Sequence, residues 1–576
     1  MIVLGIIDSK PSAAAVIKDG KILSAIAEER LCRMKLASGL PRAAISESIK
    51  IAGVSVADID RVAVAQNVSV YEPEPIPWKG WFDDVDQLKT YKFDLWSAGL
   101  APIFGRLPLA WTIHHQIKRF RSRERLKKIP QVMADAYGIK APVLFYDHHY
   151  CHAVSAYFAS TFNEALVITL DGGGDGRSGS AYLASNGHLS ELTGVDSFNS
   201  LGNFYSYVTE LCGFKAEKHE GKITGLAALG KPRYLDILRQ FIQYREPGNI
   251  RYTIPMYYHS AIRLIKNKLP RDFDRADLAA SVQFLLEDIG VKFIRYWLIK
   301  TGQKNIAAAG GVFANVKFNQ RVHEIPEVDN IFIYPAMDDS GLAVGAGLAA
   351  LAEHYNDEPV KLNQRLPNLY LGPEYTKDGL ENLVKSSGCE VIYHENIQGK
   401  IAELLSAGKV VARFTGRMEY GPRALGHRTI YYQTTDTSVN DWLNEKLHRT
   451  EFMPFAPVTL IDKAHEYYEN LNGAEYPARF MTITFNCTSK MKSQSPGVVH
   501  VDGTARPQLV DPESAPDVHK ILSAYYQLTG IPSLINTSFN MHEEPIVCTP
   551  QDAIRSFKEG HLDYLAIDNW LLSNSK

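Results

Sequence analysis

The sequence predicts a multidomain α/β protein in which strands alternate with helices across two successive units. Three observations predict it. The 576 residues exceed what one hydrophobic core accommodates, so two to four domains are expected. Within residues 1–355, short apolar runs end in Gly/Asp turns and pass into helical patterns, again and again. At 356–375 the texture turns polar, with three prolines, and reads as a linker before a second α/β unit at 376–576.

The elements follow in order. IVLGIID and then AAAVIKDGKILSAIAEE read as three strands, the last two joined by a hairpin turn at Asp19-Gly20. The N-terminus is apolar but lacks a basic start or a cleavage-type ending, so it reads as a first strand and not a signal peptide. A helix from Pro41 to Ala52 and the strand RVAVAQ come next. Residues 65–135 read as an irregular, aromatic, Pro-rich insertion with a basic helix, HHQIKRFRSRERLKK, whose charge is taken as a solvated face. His114-His115 within it has no companions and receives no role. VLFYDHHYCHAVSAY and ALVITLDGGGDG restart the alternation, and Asn186-Gly187 marks a second hairpin. Residues 201–232 are helical and then Gly-rich. NIAAAGGVFANVKFNQRV and IFIYPAMDDSGLAVGAGLAAL each read as strand, turn and helix, so a loose duplication relates the two halves of 1–355.

Composition narrows the function classes. With 45% hydrophobic and 22% charged residues, the chain is an ordinary soluble globular protein. A net charge of -2 gives no footprint for nucleic acid or an anionic membrane. No run of about 18 apolar residues suggests a membrane span. The six cysteines are scattered without a CxxC pair, which argues for a reducing, cytoplasmic setting.

Two groups of residues carry chemistry. His148 and His152 are four apart at the start of a helical pattern, which places both imidazoles on one face. Asp171 and Asp339 each follow a strand, and the four would make a mixed N/O site suited to iron, manganese or zinc. Asp338 competes with Asp339 for the last place, and helix capping is the bland alternative. Glycine runs after strands let a backbone approach a phosphate, so Gly172, Gly173, Gly310 and Gly311 are phosphate-loop candidates. In the second unit Arg413, Arg417, Arg423, Arg428, Lys446, Arg449 and Arg506 cluster near glycines and prolines, as an anion pocket would. Asn536, Ser538 and Asn540 lie at a strand end, where a nucleotide finds small donors.

Together these stretches resemble the O-carbamoyltransferase family, which includes the nodulation, cephalosporin, novobiocin and tobramycin carbamoyltransferases. The matching motifs are EER at Glu28–Arg30, DHHYCHAVSAY, LDGGGDG, EGKITGLAALG, GGVFAN ending at Asn315, and DDSGLAVGAG. In the second part they are GRMEYGPRALGHRTI, KLHRTEFMPFAP, VDGTARPQ and NTSFN. The resemblance implies an N-terminal actin-like ATPase fold of the TsaD/Kae type, followed by a YrdC-like α/β domain. It implies that the second domain makes carbamoyl-adenylate from carbamoyl phosphate and ATP, with Mg accompanying the ATP. The first domain then passes the carbamoyl group to a hydroxyl of a small-molecule acceptor, at a metal held by His148, His152, Asp171 and Asp339, with iron(II) ahead of manganese and zinc. Lys446, Arg449 and Arg423 are the expected activation residues, with Arg417, Arg506, Asn536, Ser538 and Asn540 contacting the nucleotide and Gly172, Gly173, Gly310, Gly311 and Asn315 forming the first domain's loops. One departure stands out. Family members often carry a His in the first hairpin and another after EER; here Asp8-Ser9-Lys10-Pro11-Ser12-Ala13 has none, and Lys35 is followed by Leu36. Asp8, Lys10 or Asp175 could then serve as the acceptor's base. A tRNA threonylcarbamoyl transferase and a non-catalytic nucleotide-binding regulatory protein are the competing readings, and a homodimer is left open.

Overall fold

The computed structural model describes residues 1–69, 71–78, 92–356, 358–447 and 455–573. They form two compact units. The first holds Met1–Leu23 and Leu36–Arg365, and the second holds Ser24–Lys35 and Leu366–Lys576. The sequence predicts an unbroken first domain over 1–355; in the structure Ser24–Lys35 clusters with the second unit instead.

The first unit contains two five-stranded sheets. One uses β1 (Ile2–Ile7), β2 (Ala13–Lys18), β3 (Lys21–Ala27), β4 (Arg61–Ala65) and β5 (Val143–Tyr146), in the order β3-β2-β1-β4-β5. β1 runs antiparallel to β2 and parallel to β4, which is parallel to β5. The other uses β6 (Glu164–Gly174), β7 (Arg177–Ser185) and β8 (His188–Asp196). After a small hairpin of β9 (Ile242–Arg245) and β10 (Asn249–Tyr252) it is completed by β11 (Asn305–Ala309) and β12 (Asn330–Ile333). Its order is β8-β7-β6-β11-β12, with β6, β7 and β8 antiparallel and β6, β11 and β12 parallel. The two sheets share one plan, three antiparallel strands and then two parallel ones, so the duplication expected from the sequence is a duplication of topology. Both hairpins turn where expected: Asp19 and Gly20 have φ of 49° and 85°, and Asn186 and Gly187 have 49° and 86°, the left-handed pairs of a type I′ turn.

Each sheet is faced by one central helix. Helix His148–Ser160 packs on β6 and β11, helix Leu342–His354 packs on β1, β2 and β4, and the two helices pack on each other. Small residues bring the two helices close, and likewise helix Leu342–His354 and β1. A Cβ on Gly345 would lie 2.2 Å from the Cys151 carbonyl oxygen, and one on Gly5 would lie 1.9 Å from that of Ala343. Backbone therefore touches backbone along this seam, at a residue lying between His148 and His152.

The insertion differs from its expected irregularity. Helices Lys92–Phe104, Pro108–Arg121 and Arg123–Tyr137 occupy most of it. Pro102 and Pro130 lie inside two of them, and such prolines read as breakers in a sequence. The basic helix is not simply solvated either. Arg125 is fully buried and donates to both carboxylate oxygens of Asp8, at 2.7 and 2.5 Å.

The second unit is built on one mixed sheet. Its strands are β13 (Glu390–Tyr393), β14 (Val411–Phe414), β15 (Arg428–Gln433), β16 (Ala456–Leu460), the short pair β17 (Phe485–Asn486) and β18 (Thr504–Ala505), β19 (Gln508–Val510), β20 (Ser533–Ser538), β21 (Tyr564–Ile567) and β22 (Trp570–Ser573). Eight of them pair in the order β13-β22-β21-β14-β15-β20-β16-β19. Helices Ile397–Ser406 and Pro516–Thr529 bury Ile401, Leu405, Ile521 and Leu522 against Val411 and Leu534. Helix Glu28–Cys32 belongs here through Arg30, which donates to the Gly421 carbonyl at 2.9 Å. Arg33 likewise donates to the carbonyls of Ile546 and Pro545. The architecture is mixed α/β in both units, and among the described residues no helix is long and apolar enough to cross a membrane.

Candidate functional site

Four side chains converge at the heart of the first unit. Asp147 caps helix His148–Ser160 by accepting from the Tyr150 amide, which starts the helix where His148 and His152 fall on one face. Their rings lie 4.8 Å apart, centroid to centroid. Asp171 comes from β6, at a bulge that breaks the ladder between Leu170 and Gly174. Asp339 opens the turn before helix Leu342–His354. One donor atom from each of the four lies within 4.8 Å of every other. His148 Nε2 is 2.9 Å from Asp171 Oδ2 and 3.7 Å from Asp339 Oδ1, while His152 Nε2 is 3.8 and 3.4 Å from the same two atoms.

Local packing fixes this geometry. A Cβ on Gly174 would lie 2.2 Å from the His148 ring, so only glycine admits that ring pose. The Gly311 amide donates to Asp171 Oδ1 at 3.2 Å, and a Cβ there would sit 2.9 Å from the same oxygen. Asp338 caps the turn through Ser340, which leaves Asp339 as the aspartate facing the histidines. The imidazoles are wholly buried and the carboxylates are partly open, so the histidines form the floor and the aspartates the rim.

The electrostatics call for positive charge. Burial opposes protonation of His148, yet the Asp339 and Asp171 carboxylates outweigh it and push the imidazole up to about 9. His152 is raised by the same balance. Asp171 is held well below the carboxylate range because the two imidazoles facing it, His148 in hydrogen-bond contact at 2.9 Å and His152 at 3.8 Å, outweigh its burial. His152 makes no hydrogen bond through either ring nitrogen among the described residues, although Nε2 faces both carboxylates. Two imidazole nitrogens and two carboxylates are a donor set for a divalent transition metal, whose charge would replace the two protons.

The neighbouring groups divide into scaffold and others. Asp175 accepts from the amides of Asn67, Val68 and His148 at 2.8, 2.7 and 2.9 Å, tying a loop to the helix start. Burial raises its carboxyl. Asp8 is 2% exposed, and both its carboxylate oxygens accept from Arg125. Lys10 pairs with Glu217, and its ammonium lies 3.9 Å from the Trp78 ring centroid. Gly172 faces Asn203 and Glu217, Gly173 has a φ of 151°, and a Cβ on Gly310 would meet the Leu170 carbonyl at 2.2 Å. Asn315 caps helix Val316–His323 and donates to Thr224 and Gln283, in a polar network that includes Tyr205. His149 shares a hydrogen bond with Thr169, and burial drives its imidazole well below the usual range.

In the second unit the cations are less uniform than their sequence clustering suggests. Arg428 is fully buried and donates to the carbonyls of Thr415, Gly416 and Pro373, so it holds loops. Arg413 is buried on the Gly426 carbonyl and Asp517, and Arg417 donates to the carbonyls of Leu371 and Gly372. Glu419 gathers the amides of Leu425, His427 and Arg428 on one oxygen. Asn536 is also consumed, donating to Ala424 and Gln508 and accepting from Thr429, and Asn540 donates to the carbonyls of Met541 and Glu544. Lys446 ends helix Val439–Lys446 and donates to the His561 carbonyl at 3.3 Å. Arg423, Arg506 and Ser538 are half-buried at loop or strand ends. Arg449 lies outside the described residues. Sequence reasoning gives no role to Arg125, Glu217 or Glu419. The first is one cation within a charge run, and none of the three stands in a spacing that marks a site.

Family models agree with these features. Residues 116–348 match the carbamoyltransferase N-terminus and residues 402–574 the carbamoyltransferase C-terminus. An uncharacterised Synechocystis protein is 31% identical over 98% of this chain and 95% of its own length. The chain belongs to the carbamoyltransferase family. It is an enzyme of carbamoyl transfer. Nodulation protein NolNO of Sinorhizobium fredii is 30% identical over 97% of this chain and 78% of its own. Nodulation protein NolO of Bradyrhizobium diazoefficiens is 32% identical over 74% and 78%. Among solved structures, component A of the Acidaminococcus fermentans (R)-2-hydroxyglutaryl-CoA dehydratase shares 16% identity over 62% of this chain and 99% of its own, with a TM-score of 0.35. HypF of T. kodakarensis shares 14% over 63% and 49%, also at 0.35. Likenesses this distant bear on neither ligand nor mechanism.

Proposed function

We propose that this carbamoyltransferase is ATP-dependent and works in two steps, one in each unit. In the second unit water cleaves carbamoyl phosphate to carbamate and phosphate, and a carbamate oxygen attacks the α-phosphorus of ATP, forming carbamoyl-adenylate and releasing pyrophosphate. The first unit transfers the carbamoyl group to a hydroxyl of a small-molecule acceptor, a sugar or natural product, and releases AMP. The convergence of His148, His152, Asp171 and Asp339 carries the reading, because four mutually facing donors have no structural task that a hydrogen-bonded pair would not perform. In this reading they hold a divalent metal, iron(II) ahead of manganese or zinc. Such an ion supplies Lewis-acid polarisation of a carbonyl or phosphoryl oxygen. The residues of the chain do the rest. His148 and His152 anchor the floor, while Asp171 and Asp339 leave the open rim toward which a substrate oxygen can approach.

The duplicated sheet plan supports an actin-like fold for the first unit, and the YrdC-like assignment of the second rests on the sequence motifs alone. Activation needs cations on phosphates, and Arg423, Arg506, Lys446 and Arg449 remain the assigned residues, with Ser538 as a donor. Arg417 and the amides of Asn536 and Asn540 move to supporting these loops, because they already bond within the chain. With Asp8 engaged by Arg125, the acceptor's base is sought at Lys10 and its partner Glu217.

The test is pyrophosphate release from ATP, measured with and without carbamoyl phosphate. Carbamoyl-phosphate-dependent release is expected, and Lys446→Ala abolishes it. Release that depends on threonine and tRNA points to the threonylcarbamoyl alternative. ATP binding without turnover points to the regulatory one.

A further inference from the structure

Helix Pro108–Arg121 has two contrasting faces. Its inner face is anchored in an aromatic cluster, where Trp111 stacks on Phe198 at 3.6 Å and His114 meets Phe198 and Tyr257 edge-on. Burial there pulls the His114 imidazole down to about 3. Its outer face carries Ile113, Ile117 and Phe120, spaced four and then three residues apart on one stripe. They are 56%, 37% and 65% exposed. Ile103, Phe104 and Leu107 just before this helix in sequence, and Leu126 just after it, are exposed as well.

Cations flank this stripe. Residues 118–128 hold seven lysines and arginines against one carboxylate, Glu124, although the whole chain has a net charge of -2. Arg125 is spent on Asp8, while Arg119, Arg123, Lys127 and Lys128 are exposed, and the Arg123 guanidinium lies 5.0 Å from the Phe120 ring centroid. Favourable placement at a helix C-terminus explains basic residues in the last turn. It does not explain an apolar row beside them. A second copy of the chain is a poor occupant, because a self-facing contact would set these cations against their own kind. An anionic lipid surface satisfies both halves of the pattern: the acyl boundary takes the apolar row, and the headgroups take long cationic side chains that extend outward.

We propose that helix Pro108–Arg121 and its flanks are a peripheral docking surface for an anionic bilayer. The basic face, which the sequence presents as merely solvated and the net charge averages away, becomes the part of the molecule that selects a location.

The experiment is co-sedimentation of the full chain with phosphatidylcholine vesicles, with and without phosphatidylglycerol. Binding is expected only to the anionic vesicles, weakening roughly tenfold or more as salt rises from low to high. Ile113→Glu with Phe120→Glu removes it, and so does the quadruple change of Arg119, Arg123, Lys127 and Lys128 to Gln. The Gln variant alters only exposed side chains, so an unchanged melting curve separates lost docking from misfolding. No binding to anionic vesicles, equal binding to neutral ones, or binding that survives both variants overturns the proposal. A concentration-dependent dimer that disappears in the Ile113→Glu, Phe120→Glu variant overturns it in favour of a second copy.

Discussion

The His/Asp cluster of the first unit and the cation-rich loops of the second have the same appearance in sequence, as polar residues beside glycines. They differ in what their side chains do. Arg413, Arg428, Asn536 and Asn540 turn inward and bond to backbone carbonyls or neighbouring side chains. His148, His152, Asp171 and Asp339 turn toward one another, and among the described residues neither ring nitrogen of His152 has a hydrogen bond. A buried polar group that is satisfied supports the fold, whereas one held beside similar groups without being satisfied is kept for something else. The contrast supports the role proposed for the first set and shows Arg413, Arg428, Asn536 and Asn540 of the second bonded within the chain.

Four expectations bear on that contrast. The largest effect belongs to the cluster: His152→Ala or Asp171→Ala removes stoichiometric metal, read by elemental analysis, and lowers product formation on the order of a thousandfold. Full metal content in either variant would dissolve the distinction. Arg428→Met comes next and acts on stability. It leaves three carbonyls without their donor and costs about 3 kcal/mol in urea unfolding. A raised KM for ATP at unchanged stability would instead place Arg428 in an anion pocket. Gly345→Ala pushes a Cβ into the Cys151 carbonyl and costs about 2 kcal/mol, with weaker metal binding because the helix that follows Asp339 shifts.

The smallest effect is a pH dependence of the metal-free protein. The folded His148 imidazole is raised to about 9 from an ordinary value of 6.5. Its contribution to stability is therefore fully present below about pH 6.5 and is lost as pH rises through 9. The melting temperature of metal-free protein falls by roughly a few degrees across that window. Metal-loaded protein shows no such fall, since the ion holds the imidazoles unprotonated.

Much of the first unit is legible in the sequence because its signals are local. The hairpin turns at Asp19-Gly20 and Asn186-Gly187, and the four-residue spacing of His148 and His152, depend on neighbours in sequence. The topological duplication also shows through, as repeated strand, turn and helix. Other features depend on distant partners and leave no such mark. Nothing near Arg125 announces that Asp8, 117 residues away, will bury it. Nothing in EER says that Ser24–Lys35 will cluster with residues beyond 366. In the second unit the arginines read as one group, because composition registers charge but not whether a carbonyl has already claimed it. The insertion is hard to read for a related reason: internal prolines mask two of its helices, and its basic helix, visible in sequence, does not show which of its cations is buried.

The division of labour between the units is the central claim, and His148→Ala tests it most directly. Pyrophosphate release and carbamoylated product are measured in one preparation supplied with ATP, carbamoyl phosphate and an acceptor. The account predicts carbamoyl-phosphate-dependent pyrophosphate release at the unaltered rate and no product. Loss of both together would contradict it and place the His/Asp cluster in the activation step.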